Sequence, residues 1–109
     1  MTTFTAEFIG TMILVLLGNG VCANVNLSRT LGNSAGWIVV TTGWALAVTV
    51  SVYLVNAFSG AHLNPAVTIG LLSIGKLDIG AAAVYVGAQL AGAIAGATLV
   101  WLVYLPHWK

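Results

Sequence analysis

Charge is the first thing this sequence lacks. Of 109 residues only 5% are charged, and these are Glu7, Arg29, Lys76, Asp78 and Lys109. The formal net charge is +1 with no basic run, so nucleic acid is excluded as a partner, because a phosphate backbone is held by clustered Lys and Arg. Cysteine is nearly absent. Cys22 stands alone, which rules out a disulfide framework and a thiolate pair for a metal, and it reads as a small apolar residue. His62 has no second histidine at metal-ligand spacing, so no metal is expected there. Paired carboxylates and an activated nucleophile are missing too, which makes an enzyme the least favoured class, with no cofactor. The N-terminus carries no Lys/Arg-rich region and no clear small-residue cleavage pattern. It is read as a retained transmembrane helix and not a signal peptide.

What is there is apolar. The chain is 60% hydrophobic with a mean hydropathy of +1.04, more than a soluble domain of this size uses, so the class is integral membrane and the surrounding partner is a lipid bilayer. Three runs are long enough to span, at about residues 4–23, 36–58 and 79–105, since a crossing needs about 20 residues. On the first, Glu7, Gly10, Thr11, Leu14 and Gly18 form a strip expected to face the bundle interior, while Phe8, Met12, Val15 and Leu16 are expected to face lipid. Asn24 to Ala35 reads as a polar loop. On the third run Ala88, Gly92 and Gly96 recur every four residues, a seam for close helix packing. Trp101, Tyr104 and Trp108 read as an interfacial aromatic belt, and Pro106 as the end of the helix.

Between the second and third runs lies Ser59-Gly60-Ala61-His62-Leu63-Asn64-Pro65-Ala66-Val67-Thr68-Ile69-Gly70. Asn is among the best helix caps and Pro is favoured at the first helical position. Residues 64–74 therefore read as a capped half helix of about 15 Å at 1.5 Å per residue, half of a bilayer core. A loose helix end at that depth is tolerated only against protein or a water-filled cavity. The expected fold is all-α and integral to the membrane: three transmembrane helices plus one re-entrant half helix. The half helix enters and leaves on one side, which puts Lys76 on the side of the N-terminus and Arg29 and Lys109 opposite. One cation against two gives no orientation from the positive-inside rule.

The ten residues from Ser59 to Thr68, with their Asn-Pro-Ala box, resemble the first signature loop of the aquaporin and glycerol-facilitator (major intrinsic protein) family. Ala6-Glu7-Phe8-Ile9-Gly10-Thr11 is similar to the family's first-helix opening, and Gln89-Leu90-Ala91-Gly92-Ala93 to its third helix. The resemblance implies one of two inverted repeats of an aquaporin-like right-handed bundle, with residues 1–109 as a single N-terminal repeat. It also implies a homotetramer in the plasma membrane once the channel is complete. A second Asn-Pro-Ala box and the filter Arg of the other repeat are not in these residues, so they are expected to be a piece of a longer channel.

Roles for individual residues follow. Asn64 is expected at the pore centre, donating its amide to a passing hydroxyl or water; the plain alternative is an ordinary N-cap. The half-helix dipole points at the same place and disfavours cations. Gly60, Ala61, His62 and Leu63 would offer main-chain carbonyls along the pore, because an irregular segment leaves acceptors free that a helix consumes. The His62 ring is expected to brace the loop, with Pro65 and Ala66 in structural support. Glu7 is either a first-turn acid reaching water or, as the resemblance implies, a buried carboxylate steadying the loop, and Gln89 is expected to hydrogen-bond across helices near it. Trp44 lies twenty residues before Asn64, the position at which glycerol facilitators place a filter Trp. Its alternative is helix packing. Val48 reads as pore wall or core.

Three functions remain in competition. The first is a passive channel for glycerol and other small neutral solutes, passing water as well. The second is a water-selective aquaporin. The third is a small, non-conducting membrane interaction protein that pairs through Ala88, Gly92 and Gly96.

Overall fold

Helix α1 (Thr3–Asn26) starts where the Thr2 hydroxyl accepts the Thr5 N–H at 3.1 Å. It runs three residues past the expected end, through the first residues assigned to the polar loop. The polar side chains themselves explain this. Asn26 donates back to the Cys22 carbonyl at 2.8 Å, and Asn24 Oδ1 accepts Gly32 N–H at 3.3 Å, so both asparagines are satisfied without leaving the helix. The loop then folds back on this end, with Ser34 N–H on the Val25 carbonyl at 2.9 Å.

The structure is a computed structural model and describes residues 1–108. After α1 come α2 (Trp37–Ser59), α3 (Pro65–Ser73) and α4 (Ile79–Val103), then a 3-10 turn at Leu105–His107. Helix α2 stops on Gly60, whose φ of 80° is the left-handed cap that lacks a Cβ penalty there. Asn64 opens α3, its Oδ1 accepting Ala66 N–H at 2.9 Å with Pro65 in the first position. Asp78 opens α4 by accepting Ala81 N–H at 2.7 Å. Helix α4 ends two residues before the expected boundary: Tyr104 leaves helical geometry (φ −102°, ψ 21°), and Pro106, with no N–H to continue the ladder, sits in a 3-10 turn.

Helices α1, α2 and α4 each have the length and hydropathy to cross a membrane. The 24 residues of α1 rise about 36 Å, more than the roughly 30 Å of a hydrocarbon core. The nine residues of α3 do not reach across. Helix α1 lies between the other two long helices. On one side Gly10 meets Val55 and Leu63, Gly18 meets Trp44, and Val21 meets Gly43; on the other, Gly92 and Gly96 meet the α1 backbone. A Cβ on Gly92 would lie 2.4 Å from the Phe8 carbonyl oxygen, and one on Gly96 2.5 Å from that of Met12.

Two expectations change accordingly. The face of Phe8, Met12, Val15 and Leu16 is the seat of α4, not a lipid face, because the glycines remove the side chains that would hold the helices apart. The Ala88-Gly92-Gly96 seam is buried by α1 of the same chain, so it is not free to pair with another protein. At the far end, Arg29 Nη2 donates to the Pro106 carbonyl at 2.7 Å, and His107 Nδ1 lies 2.9 Å from the Ser28 carbonyl oxygen. Arg29 and the end of α4 therefore share one end of the bundle, as expected. Lys109 lies outside the described residues.

The interior is unusual in kind. Of the five largest fully buried side chains, Gln89, Glu7, Thr68 and Ser51 are polar and only Val55 is apolar. Large apolar side chains sit outside instead, with Trp37, Ile38 and Tyr53 on α2 about four-fifths exposed. Glu7, Gln89 and Thr68 are linked by hydrogen bonds there, and the inversion suits a chain whose outer solvent is lipid.

Candidate functional site: a strained loop and its carboxylate anchor

Residues 60–64 join α2 to α3 in a conformation that side chains resist. Gly60, Ala61 and Leu63 have φ of 80°, 52° and 57°. Each non-glycine residue held in the left-handed region costs on the order of 1–2 kcal/mol, so something must hold Ala61 and Leu63. It is a set of hydrogen bonds from three successive N–H groups. Ala61 N–H donates to Ser59 Oγ at 3.1 Å, His62 N–H to Glu7 Oε2 at 3.2 Å, and Leu63 N–H to Glu7 Oε1 at 2.9 Å. Apolar packing adds to this, with the Leu63 side chain buried among Ala6, Val55 and the open face of Gly10.

Glu7 is fully buried. Each of its oxygens receives two donors: Oε2 from Ser59 Oγ at 2.5 Å and His62 N–H, Oε1 from Leu63 N–H and from Gln89 Nε2 at 2.8 Å. A buried carboxylate is tolerable only when so supplied, and all four donors come from this chain. Gln89 Nε2 also donates to Thr68 Oγ1 at 3.0 Å, which ties α4 to α3. Thr68 Oγ1 lies 3.0 Å from His62 Nδ1, and the His62 ring stacks on Tyr85 with centroids 4.1 Å apart. The Tyr85 hydroxyl in turn donates to the Ser59 carbonyl. Glu7, Ser59, His62, Thr68, Tyr85 and Gln89 thus form one knot joining all four helices.

With the N–H groups of residues 61–63 turned to Glu7 and Ser59 and that of Gly60 on the Asn56 carbonyl, no donor among the described residues reaches the carbonyl oxygens of residues 60–63. Those oxygens are strong acceptors left to whatever occupies the open side. Asn64 stands at the end of this row, exposed, with its oxygen held by Ala66 N–H and its Nδ2 without a partner among the described residues. Its two amide hydrogens are available as donors. Pro65 and Ala66 form the first turn behind it. The arrangement offers four successive unpaired acceptors followed in the chain by a donor, which suits neutral solutes that both donate and accept.

Trp44 and Val48 lie apart from the knot. Trp44 is half-buried and packs on Gly18 of α1, about 16 Å along that helix from Glu7. Its Nε1–H donates to Cys22 Sγ at 3.2 Å. Val48, one turn on, is 45% exposed, whereas Val55 on the same stripe is fully buried. Val48 therefore lines an open surface and Val55 is core.

Ser59, Thr68 and Tyr85 join the knot without a role expected from the sequence. Tyr85 carried a signal, standing four residues before Gln89 on the small-residue face of α4 and so on the same side of the helix. Ser59 and Thr68 sit inside the loop stretch, where local sequence does not say which side chains turn inward.

Residues 1–108 match the family described as Major intrinsic protein. Over 109 residues the chain is 57% identical to a probable glycerol uptake facilitator protein of Thermotoga maritima, covering 100% of this chain and 47% of that protein. It is 52% identical over 109 residues to the glycerol uptake facilitator protein of Bacillus subtilis, covering 100% and 40% respectively. Among solved structures, the aquaglyceroporin from Plasmodium falciparum superposes with a TM-score of 0.87 at 44% identity, covering 94% of this chain and 41% of that one. The chain spans about half the length of the curated relatives it matches. Since the match runs through the very loop, half helix and anchoring glutamate described above, the chain belongs to the major intrinsic protein family.

Proposed function

We propose that this chain is the N-terminal repeat of a passive channel for glycerol and other small neutral solutes, one that also passes water. The observation that carries the reading is the loop of residues 60–64, with three N–H groups held inward and four carbonyls and the Asn64 amide left unpaired. Polyol hydroxyls both donate and accept, so a solute shedding water here finds both kinds of partner. The amide and the positive end of α3 disfavour cations at the same point. Trp44 supplies an apolar wall for the carbon backbone of glycerol, and Val48 extends that wall. The exposed faces of α2 and α3 are where a second, inverted repeat packs to close the pore. Similarity to proteins named glycerol uptake facilitators supports the choice of permeant. The complete protein is a multi-pass homotetramer of the plasma membrane and carries out no chemical reaction.

The test is stopped-flow light scattering on vesicles containing the complete protein. Glycerol should enter faster than in empty vesicles, and Asn64→Ala should slow it about tenfold, the effect of about 1.4 kcal/mol on the barrier. Water entry without glycerol entry would make the channel water-selective and overturn the choice of permeant.

A further inference from the structure

Trp44 is held at two points on α1, and neither belongs to the loop or its anchor. The first is its only hydrogen-bond donor. Indole Nε1–H points to Cys22 Sγ at 3.2 Å, a weak acceptor, but one that consumes the ring's single polar hydrogen. The second is its seat. Gly18 lies so close under the ring that a Cβ there would fall 2.3 Å from Cζ3, 2.4 Å from Cε3 and 2.6 Å from Cδ2. Ordinary carbon contacts lie at about 3.5–4.0 Å, so any side chain at 18 would drive this rigid ring outward by more than about 1 Å. The two helices are also close beside the ring, since a Cβ on Gly43 would fall 2.8 Å from both Val21 methyls.

We infer that Gly18 and Cys22 are positioning residues for solute selection, setting how far the Trp44 indole stands out from α1 and keeping its N–H turned away from the passing solute. The inference rests on the reading of Trp44 as a filter wall. An indole whose N–H is engaged offers a solute only its apolar ring, so it selects for carbon–hydrogen surface and by width. A freed N–H would add a donor to the wall and let the ring rotate. A ring pushed off Gly18 would narrow the passage for a polyol more than for water, because the polyol is the wider solute.

The complete protein in vesicles tests this through the ratio of glycerol to water permeability, which cancels differences in the amount of folded protein. Cys22→Ala should change the ratio about threefold, the scale set by one weak neutral hydrogen bond. Cys22→Ser keeps an acceptor and should restore the native ratio. Gly18→Ala should lower glycerol entry relative to water. In a Trp44→Phe background, which has no indole N–H, Cys22→Ala should have no further effect, since a residue acting only through Trp44 is non-additive with it. A ratio unchanged by Cys22→Ala, or changed equally with and without the indole, would overturn the positioning role. If Trp44→Phe and Trp44→Ala both leave the ratio and the polyol size limit unchanged, the filter reading itself fails. Should Gly18→Ala not fold, the cysteine variants still decide the matter.

Discussion

Replacing Glu7 by Gln removes one acceptor atom and should open the loop. In the native chain Oε2 serves Ser59 Oγ and His62 N–H, while Oε1 serves Leu63 N–H and Gln89 Nε2. Glutamine has one oxygen and one NH2 group, so whichever way it turns, the NH2 meets two donors. One of these is a side chain, Ser59 or Gln89, that can reorient. The other is a backbone N–H, of His62 or Leu63, that cannot. An orphaned buried donor costs about 1–3 kcal/mol, which at about 1.4 kcal/mol per tenfold makes local opening about 5- to 150-fold more frequent. Release of the left-handed backbone at Ala61 and Leu63 favours the same opening. Hydrogen exchange at the amides of residues 61–63, in the complete protein in lipid nanodiscs, reads this directly. Exchange there should accelerate within that range while the far end of α4 near Trp101 keeps its native rate, and glycerol entry should fall in parallel. Native exchange at residues 61–63 in Glu7→Gln would refute the anchor, whatever happened to transport.

Two further substitutions test the frame that carries the loop. Gly92→Leu places side-chain atoms where a Cβ alone would meet the Phe8 carbonyl at 2.4 Å; it should destabilise the protein by about 1–3 kcal/mol and lower its melting temperature. Gly87→Ala on the same helix meets open space and should leave the melting temperature unchanged or slightly raised. Equal effects of the two would argue against the seam. Tyr85→Phe keeps the stack on His62 but strips the donor from the Ser59 carbonyl. A loss of about 1 kcal/mol is expected in denaturation of the detergent-solubilised protein, and no loss would mean that the hydroxyl contributes nothing to holding the loop.

The spans were legible because lipid imposes a length and a composition on any helix that crosses it, and those constraints act on contiguous residues. Where boundaries moved, local polar groups had found local partners. Asn24 and Asn26 find partners while still within α1, and Pro106, lacking an N–H, helps end α4 early by a purely backbone effect. The face of Phe8 and Met12 meets α4 and not lipid because α4's glycines reach the α1 backbone past large side chains, a fit that no single-helix periodicity reveals.

By itself the sequence determined the apolar class, the three spans and the half helix with its Asn64 cap, since each rests on neighbours in the chain. It also marked Glu7, His62 and Gln89 as polar groups with no business in lipid unless partnered. Only the tertiary structure decided who those partners are. The bonds from Glu7 reach residues 52 to 82 positions away in sequence, and Trp44 meets Gly18 and Cys22 across the α1–α2 contact. The physical reason is that a carboxylate needs donors converging from several directions at under about 3.2 Å, and only the packing of four helices around one point brings them there.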